Sequence, residues 1–207
     1  MATSPLFVTF EGIDGSGKST QARRLADRLR NDDTKVVLTR EPGGSDGAEE
    51  IRALLVTGDP QRWSPETEIL LFTAARRDHL EKTILPALLA GKTVISDRFA
   101  DSTRVYQGVA RAELREVVDK LHTLMIKREP DLTFIIDMDP ETALGRGLAR
   151  RSGEDRFEEF GLPFQLALRE GFLELASSQS ARCVLIDGNR PPDVVAAEIN
   201  TIFCSRQ

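Results

Sequence analysis

Of the 207 residues, two are cysteine, two histidine, one tryptophan and one tyrosine. Cys183 and Cys204 show no metal-ligand spacing, which excludes a disulfide-stapled scaffold and a zinc ribbon and suits a reducing cytoplasm. A basic surplus is also missing. Lys and Arg number 28 against 33 Asp and Glu, a formal charge of −5. That argues against a duplex nucleic-acid binder and leaves room for a small anion held by a few arginines. No apolar run approaches the roughly 20 residues of a membrane span. The start, Met-Ala-Thr-Ser-Pro, has neither a basic n-region nor an apolar h-region, so no secretory leader and a cytoplasmic protein are expected. Repeats, low-complexity segments and linkers are absent as well. With 40% apolar residues the chain is expected to fold as one domain over 1–207 with a real core.

What is present is concentrated in Phe7 to Thr20. Gly12-Ile13-Asp14-Gly15-Ser16-Gly17-Lys18-Ser19 fits G-x-x-x-x-G-K-[ST], with Thr20 following. A short apolar run (Leu6, Phe7, Val8, Phe10) reads as a buried strand before it, and a helical pattern (Leu25, Ala26, Leu29) follows. Glycines at 12, 15 and 17 let the backbone turn tightly and point N–H groups inward, and the helix N-terminus adds its dipole. The result is a cradle for a polyphosphate. Lys18 reaches the β- and γ-phosphates, and the Ser19 hydroxyl is placed to ligate Mg²⁺. A nucleoside triphosphate site is therefore expected, with ATP as ligand.

The rest of the chain alternates strand and helix. Lys35–Thr39, Thr93–Ser96, Leu132–Met138 and Cys183–Ile186 read as four more short strands, and helices are expected between them. That order calls for an α/β fold, a five-stranded parallel sheet covered by helices on both faces. Arg40-Glu41-Pro42-Gly43-Gly44 breaks the chain just past the second strand, at the edge where such sheets bind ligands. Arg40 is either a ligand there or a solvated loop charge. Asp46–Thr57 is a helix. Ser64 caps and Pro65 starts a long one reaching Leu89, in which Phe72 and Arg76 share a face. Phe72 alone reads as core or as a ligand platform, whereas an arginine on a core-side face is unusual without a partner. Asp97, ending the third strand, is placed for the Mg²⁺ shell or for a helix cap. Asp101 to Gly108 is polar and partly helical, Ala112 to Lys127 is a helix, and Asp137 and Asp139 read as structural. Gly145 to Arg156 reads as a poor helix loosening into a loop, either a mobile lid over about 146–157 or a solvated turn. Phe157–Ser178 and Pro192–Phe203 complete the helices.

Three classes of function compete. A regulatory GTPase should show Asn-Lys-x-Asp, which is absent. A motor or transport ATPase would be longer. A small-molecule kinase with scattered arginines fits best. The chain resembles the bacterial thymidylate kinases over nearly its whole length. The matching pieces are Phe10 to Thr20, Arg40-Glu41-Pro42-Gly43-Gly44, Leu71-Phe72-Thr73-Ala74-Ala75-Arg76, Asp97-Arg98-Phe99, Ser102 with Tyr106-Gln107-Gly108, and Asp155-Arg156-Phe157-Glu158. The resemblance implies a P-loop kinase fold with a lid, a homodimer, and Mg²⁺-dependent transfer from ATP to dTMP, giving dTDP. It implies that Phe72 stacks on thymine and Arg76 hydrogen-bonds the base. It places Asp14 on the sugar 3′-hydroxyl, Arg40 and Arg98 on the dTMP phosphate, and Tyr106 where a ribose 2′-hydroxyl would stand. Pro42, Ser102, Thr103 and Gln107 lie beside the nucleotide.

Some positions depart from that pattern. Phe99 stands where tyrosine is common, Val109-Ala110-Arg111 replaces a more glycine-rich turn, and Thr103 replaces an asparagine of some relatives. The P-loop itself carries no arginine. The cation that stabilises the transferring phosphoryl group is therefore expected from the lid segment: Arg151, with Arg150 or Arg146 assisting. The alternatives are a deoxynucleoside kinase, with Glu11 or Asp97 as general base, and a nucleotide-binding regulator without an acceptor.

Overall fold

The computed structural model describes residues 5–58, 62–110, 112–150 and 161–207. Five parallel strands, β1 (Phe7–Glu11), β2 (Val36–Arg40), β3 (Thr93–Asp97), β4 (Leu132–Asp137) and β5 (Cys183–Asp187), form one sheet in the order β2-β3-β1-β4-β5. All five coincide with the short apolar runs of the sequence. β1, in the middle, is buried along its whole length. Its alternate residues feed two cores. Val8 and Phe10 pack with Leu25, Leu29, Ile199 and Phe203 of helices α1 (Lys18–Asn31) and α9 (Pro192–Ser205). Phe7 faces the opposite side, with Leu80, Ile84 and Phe99. The buried Thr9 on that side shares a 2.8 Å hydrogen bond with Thr133, so its hydroxyl is satisfied.

Between β2 and β3 lie α2 (Asp46–Val56) and one long helical rod. The rod comprises α3 (Pro65–His79), a wider π-turn over Leu80–Ile84, and α4 (Leu85–Leu89). Ser64 caps it, accepting from Thr67 N at 3.2 Å, and Pro65 occupies the first turn. The π-turn falls just ahead of Pro86, which lacks an N–H and whose ring would crowd the carbonyl of Lys82 in a regular α-turn. The segment after β3 is a full helix, α5 (Ala100–Ala110), rather than partly helical, and α6 (Ala112–Leu121) follows it, ending in a second π-turn over His122–Ile126.

After β4, α7 (Pro140–Arg150) carries its helix through the two glycines at 145 and 147. The expected lid therefore begins on a helix. Asp139 caps α7, accepting from Thr142 N at 2.9 Å, and Asp137 pairs with Arg169 of α8 (Gly161–Ser178) at 2.6 Å, so both aspartates are structural, as expected. Arg151, Arg156 and the remainder of the expected lid lie outside the described residues.

Register decides where the site is. Phe10 of β1 and Arg40 of β2 both stand level with Asp97 of β3. The C-terminal ends of three strands thus deliver the P-loop, the Arg40-Glu41 loop and the Asp97-Arg98 turn to one edge of the sheet, where strand order reverses around β1.

Candidate active site

The P-loop holds its shape through positions where only glycine fits. Gly15 has φ 84°, and a Cβ there would lie 1.9 Å from the carbonyl oxygen of Ala143 on α7. Gly12 has φ 133°, and its Cβ would meet the Ile136 carbonyl at 2.5 Å. The loop is wedged between β4 and α7. Lys18 folds back over it, donating to the carbonyl of Ile13 at 2.8 Å, with Asp14 at 3.8 Å. Burial, reinforced by the neighbouring Arg98, lowers its ammonium to about 8.

Arg98 joins the P-loop to helix α5. It leaves β3 with a left-handed φ of 71°. Nη1 donates to the Gly12 carbonyl at 3.3 Å and to Ser102 Oγ at 2.7 Å, and Nη2 donates to Tyr106 at 3.2 Å and to Asp14 Oδ1. The Tyr106 hydroxyl donates to Asp14 Oδ2 at 2.7 Å. Burial alone would raise the Asp14 carboxyl, but the charges of Arg98 and Lys18 hold it well below the usual range. Burial pushes the Tyr106 phenol well above its ordinary value, with Arg98 opposing and Asp14 reinforcing the shift. Its ring rests edge-on to Phe164 and Phe172 at 6.2 and 6.5 Å. Asp14 and the distant Arg98, Ser102 and Tyr106, these three spaced four residues apart, are one cluster.

Arg40, Asp97, Arg98 and Ser19 line one open cavity of about 780 Å³, together with Arg23, Glu41 and Arg52. Arg40 is exposed and paired with Glu49 at 3.2 Å, and Glu49 also accepts from Gly44 N at 2.9 Å. Asp97 Oδ1 is buried without a hydrogen-bond partner among the described residues. An orphaned carboxylate oxygen on a cavity shared with the Ser19 hydroxyl fits Mg²⁺, which takes one or two protein oxygens and completes its shell with phosphates and water.

On α3, Phe72 is half-buried and Arg76 is 4% exposed. The partner that a buried arginine requires is Glu41, whose Oε2 accepts from Arg76 Nε at 2.7 Å. Nη2 donates to Thr103 at 2.9 Å, and the guanidinium lies 5.2 Å over Phe99. Phe99 is fully buried against Phe7, with ring centroids 4.9 Å apart, so this position needs no hydroxyl. Gln107 is buried and reaches Glu68 at 3.4 Å. Pro42 presents its carbonyl to Arg52 at 2.5 Å.

Arg146, Gly188 and Arg190 form a small pocket with Ser16, Gly17 and Thr20 behind the P-loop. Arg146 Nη1 lies 3.2 Å from Met138 Sδ. Nothing is described of the Arg150 side chain.

The sequence reading missed Glu41 as the partner of Arg76, and His79 as the partner of Glu41. The signal was available: His79 lies three residues after Arg76 on α3, hence on the same face. It also left Glu11 open as a general base. Glu11 is fully buried and accepts from Phe99 N at 2.7 Å and from the Ser102 hydroxyl, so its oxygens are occupied within the fold.

The thymidylate kinase family model matches residues 10–199. Thymidylate kinases of Dinoroseobacter shibae and a Jannaschia species are 72% and 64% identical to this chain, the first over 93% of both sequences and the second over 98% of this one and 97% of its own. The crystal structure of thymidylate kinase from Ehrlichia chaffeensis superposes with a TM-score of 0.77 at 37% identity, covering 97% of this chain and 99% of that one. With a P-loop, an arginine that ties it to helix α5, and matches that span almost every residue, the chain belongs to the thymidylate kinase family.

Proposed function

We propose that this nucleoside monophosphate kinase transfers the γ-phosphoryl group of ATP to dTMP, giving dTDP. The observation that carries the reading is Arg98. One side chain touches the donor loop at Gly12 and Asp14 and the acceptor wall at Ser102 and Tyr106. Two anionic phosphates meeting there share a cation that neutralises both. The acceptor is itself a phosphate whose second pKa is about 6, so it arrives ionised and needs no base. Catalysis then consists of alignment and charge screening. The occupied Glu11 removes one of the two bases open to the deoxynucleoside kinase alternative, and the other, Asp97, is the carboxylate that Mg²⁺ would take.

Roles follow from placement. Lys18 serves the donor phosphates. Arg40 exchanges Glu49 for the dTMP phosphate. Phe72 offers a ring to the base. Arg76, whose N–H groups only donate, favours a base with a carbonyl over one with an amino group. Tyr106 and Asp14 meet the deoxyribose. Ser19 and Asp97 would hold Mg²⁺, which when bound neutralises the polyphosphate. Arg146 stands beside the P-loop, and Arg150 and Arg151 follow it in sequence as candidates for the cation on the transferring group. No described helix is long and apolar enough to cross a membrane, in keeping with a cytoplasmic enzyme. The protein acts as a homodimer, for which an apolar face on α2, α3 and α6 provides the surface. A coupled ADP-release assay offering dTMP, thymidine and dCMP side by side tests the substrate. Turnover is expected with dTMP, and turnover with thymidine in its place would overturn the reading.

A further inference from the structure

We infer that His79 is a positioning residue for base recognition, fixing the Arg76 guanidinium through Glu41. The inference rests on the reading that Arg76 meets the thymine. His79 is fully buried and lies one helical turn beyond Arg76. Its Nδ1 is 3.0 Å from Glu41 Oε1, while the other oxygen of the same carboxylate takes Arg76 Nε at 2.7 Å. A carboxylate only accepts, so Nδ1 carries the proton that faces it. On the far side, Nε2 lies 2.8 Å from the Thr39 hydroxyl on β2. A chain of contacts therefore runs Thr39, His79, Glu41, Arg76, Thr103, from an edge strand to helix α5.

Each link is held by something rigid. Glu41 N donates to the Asp97 carbonyl at 2.9 Å, tying its backbone to β3. Gly44 closes over the imidazole so tightly that a Cβ there would lie 2.4 Å from Nε2. Arg76 is fixed at Nε and Nη2 with its face on Phe99, which leaves Nη1 for a ligand. Glu41 stands on a loop of proline and glycines, where Arg76 fixes only one of its carboxylate oxygens. With His79 on one oxygen, the other oxygen has a single position, and so does the arginine it holds. Without the Nδ1 donor the carboxylate turns, and the guanidinium loses the orientation that separates a carbonyl from an amino group.

The test compares His79→Gln, His79→Asn and His79→Leu with Arg76→Met as a control. An asparagine amide replaces Nδ1, and a glutamine amide replaces Nε2. His79→Gln and His79→Leu are expected to raise the KM for dTMP about tenfold, the effect of one lost buried partner. They should narrow the preference for dTMP over dCMP, with kcat and the KM for ATP little changed. His79→Asn should restore most of both. A purely structural role would lower melting temperature in all three and leave the KM for dTMP and the base preference untouched, and that result overturns the inference. So does an asparagine variant no better than leucine. If Arg76→Met itself leaves the KM for dTMP and the base preference intact, the thymine reading of Arg76 fails. If Arg76→Met loses both while folded His79→Gln keeps them, the base site stands and only the role of His79 falls.

Discussion

Lys18 and Glu11 show how far burial moves single groups in this protein. The Lys18 ammonium, held at about 8 chiefly by burial, loses its charge in the ligand-free protein as pH rises through that value. A pH profile of kcat/KM for ATP, which reports the free enzyme, should therefore fall above about 8, whereas kcat should fall at higher pH because bound phosphates restore the charge. Lys18→Ala should abolish transfer while calorimetry shows dTMP binding nearly unchanged, since the lysine sits on the donor loop. Glu11 behaves oppositely. Burial, aided by the Asp101 charge, raises it from 4.5 to about 7. The unfolded chain ionises Glu11 first, so the folded state loses stability as pH climbs from 4.5 to about 7, and the deficit is constant above that. Glu11→Gln removes the deficit. Its unfolding free energy relative to the parent should rise across that window in urea titrations and stay flat below it.

At the level of elements, the P-loop is a joint between β4, α7 and α1. Gly15→Ala drives a methyl into the Ala143 carbonyl at 1.9 Å and must push α7 away. Gly17, with φ 96°, has nothing within 4 Å of its added Cβ, so Gly17→Ala carries only the left-handed penalty of about 1–2 kcal/mol. Denaturation midpoints of the two variants should differ severalfold in their shift, with Gly15→Ala the larger. Arg146, on the adjoining helix, gives a functional counterpart. Arg146→Ala should raise the KM for ATP and spare that for dTMP. These elements were legible in the sequence because strand runs and the P-loop are local patterns. All five strands, the capped start of α3 and the capping role of Asp139 follow from neighbours in the chain. What was not legible came from partners far away. Glu41 and His79 are 38 residues apart, and Arg98 reaches Asp14 across 84. No window on the sequence contains such pairs. The full helicity of α5 and α7 was hidden for a related reason: polar residues and glycines lower local propensity, while packing against the core restores the helix.

Across the whole molecule, Leu70, Leu124 and Met125 remain about half exposed or more, beside a shallow cavity that Ile51, Ala74 and Leu121 also line. Exposed apolar side chains grouped in this way are the surface the proposed homodimer would cover. Leu70→Asp combined with Leu124→Asp should shift the protein to monomer in sedimentation velocity, with the fold retained by circular dichroism. The cleft on the opposite account is saturated. Arg40, Arg76 and Arg98 each already hold a carboxylate, from Glu49, Glu41 and Asp14. On the proposed reading, substrate binding at Arg40 exchanges one anion for another. Salt weakens the outgoing and incoming pairs together, so the proposed exchange at Arg40 makes the affinity for dTMP fall less steeply with ionic strength than binding to an unpaired arginine would.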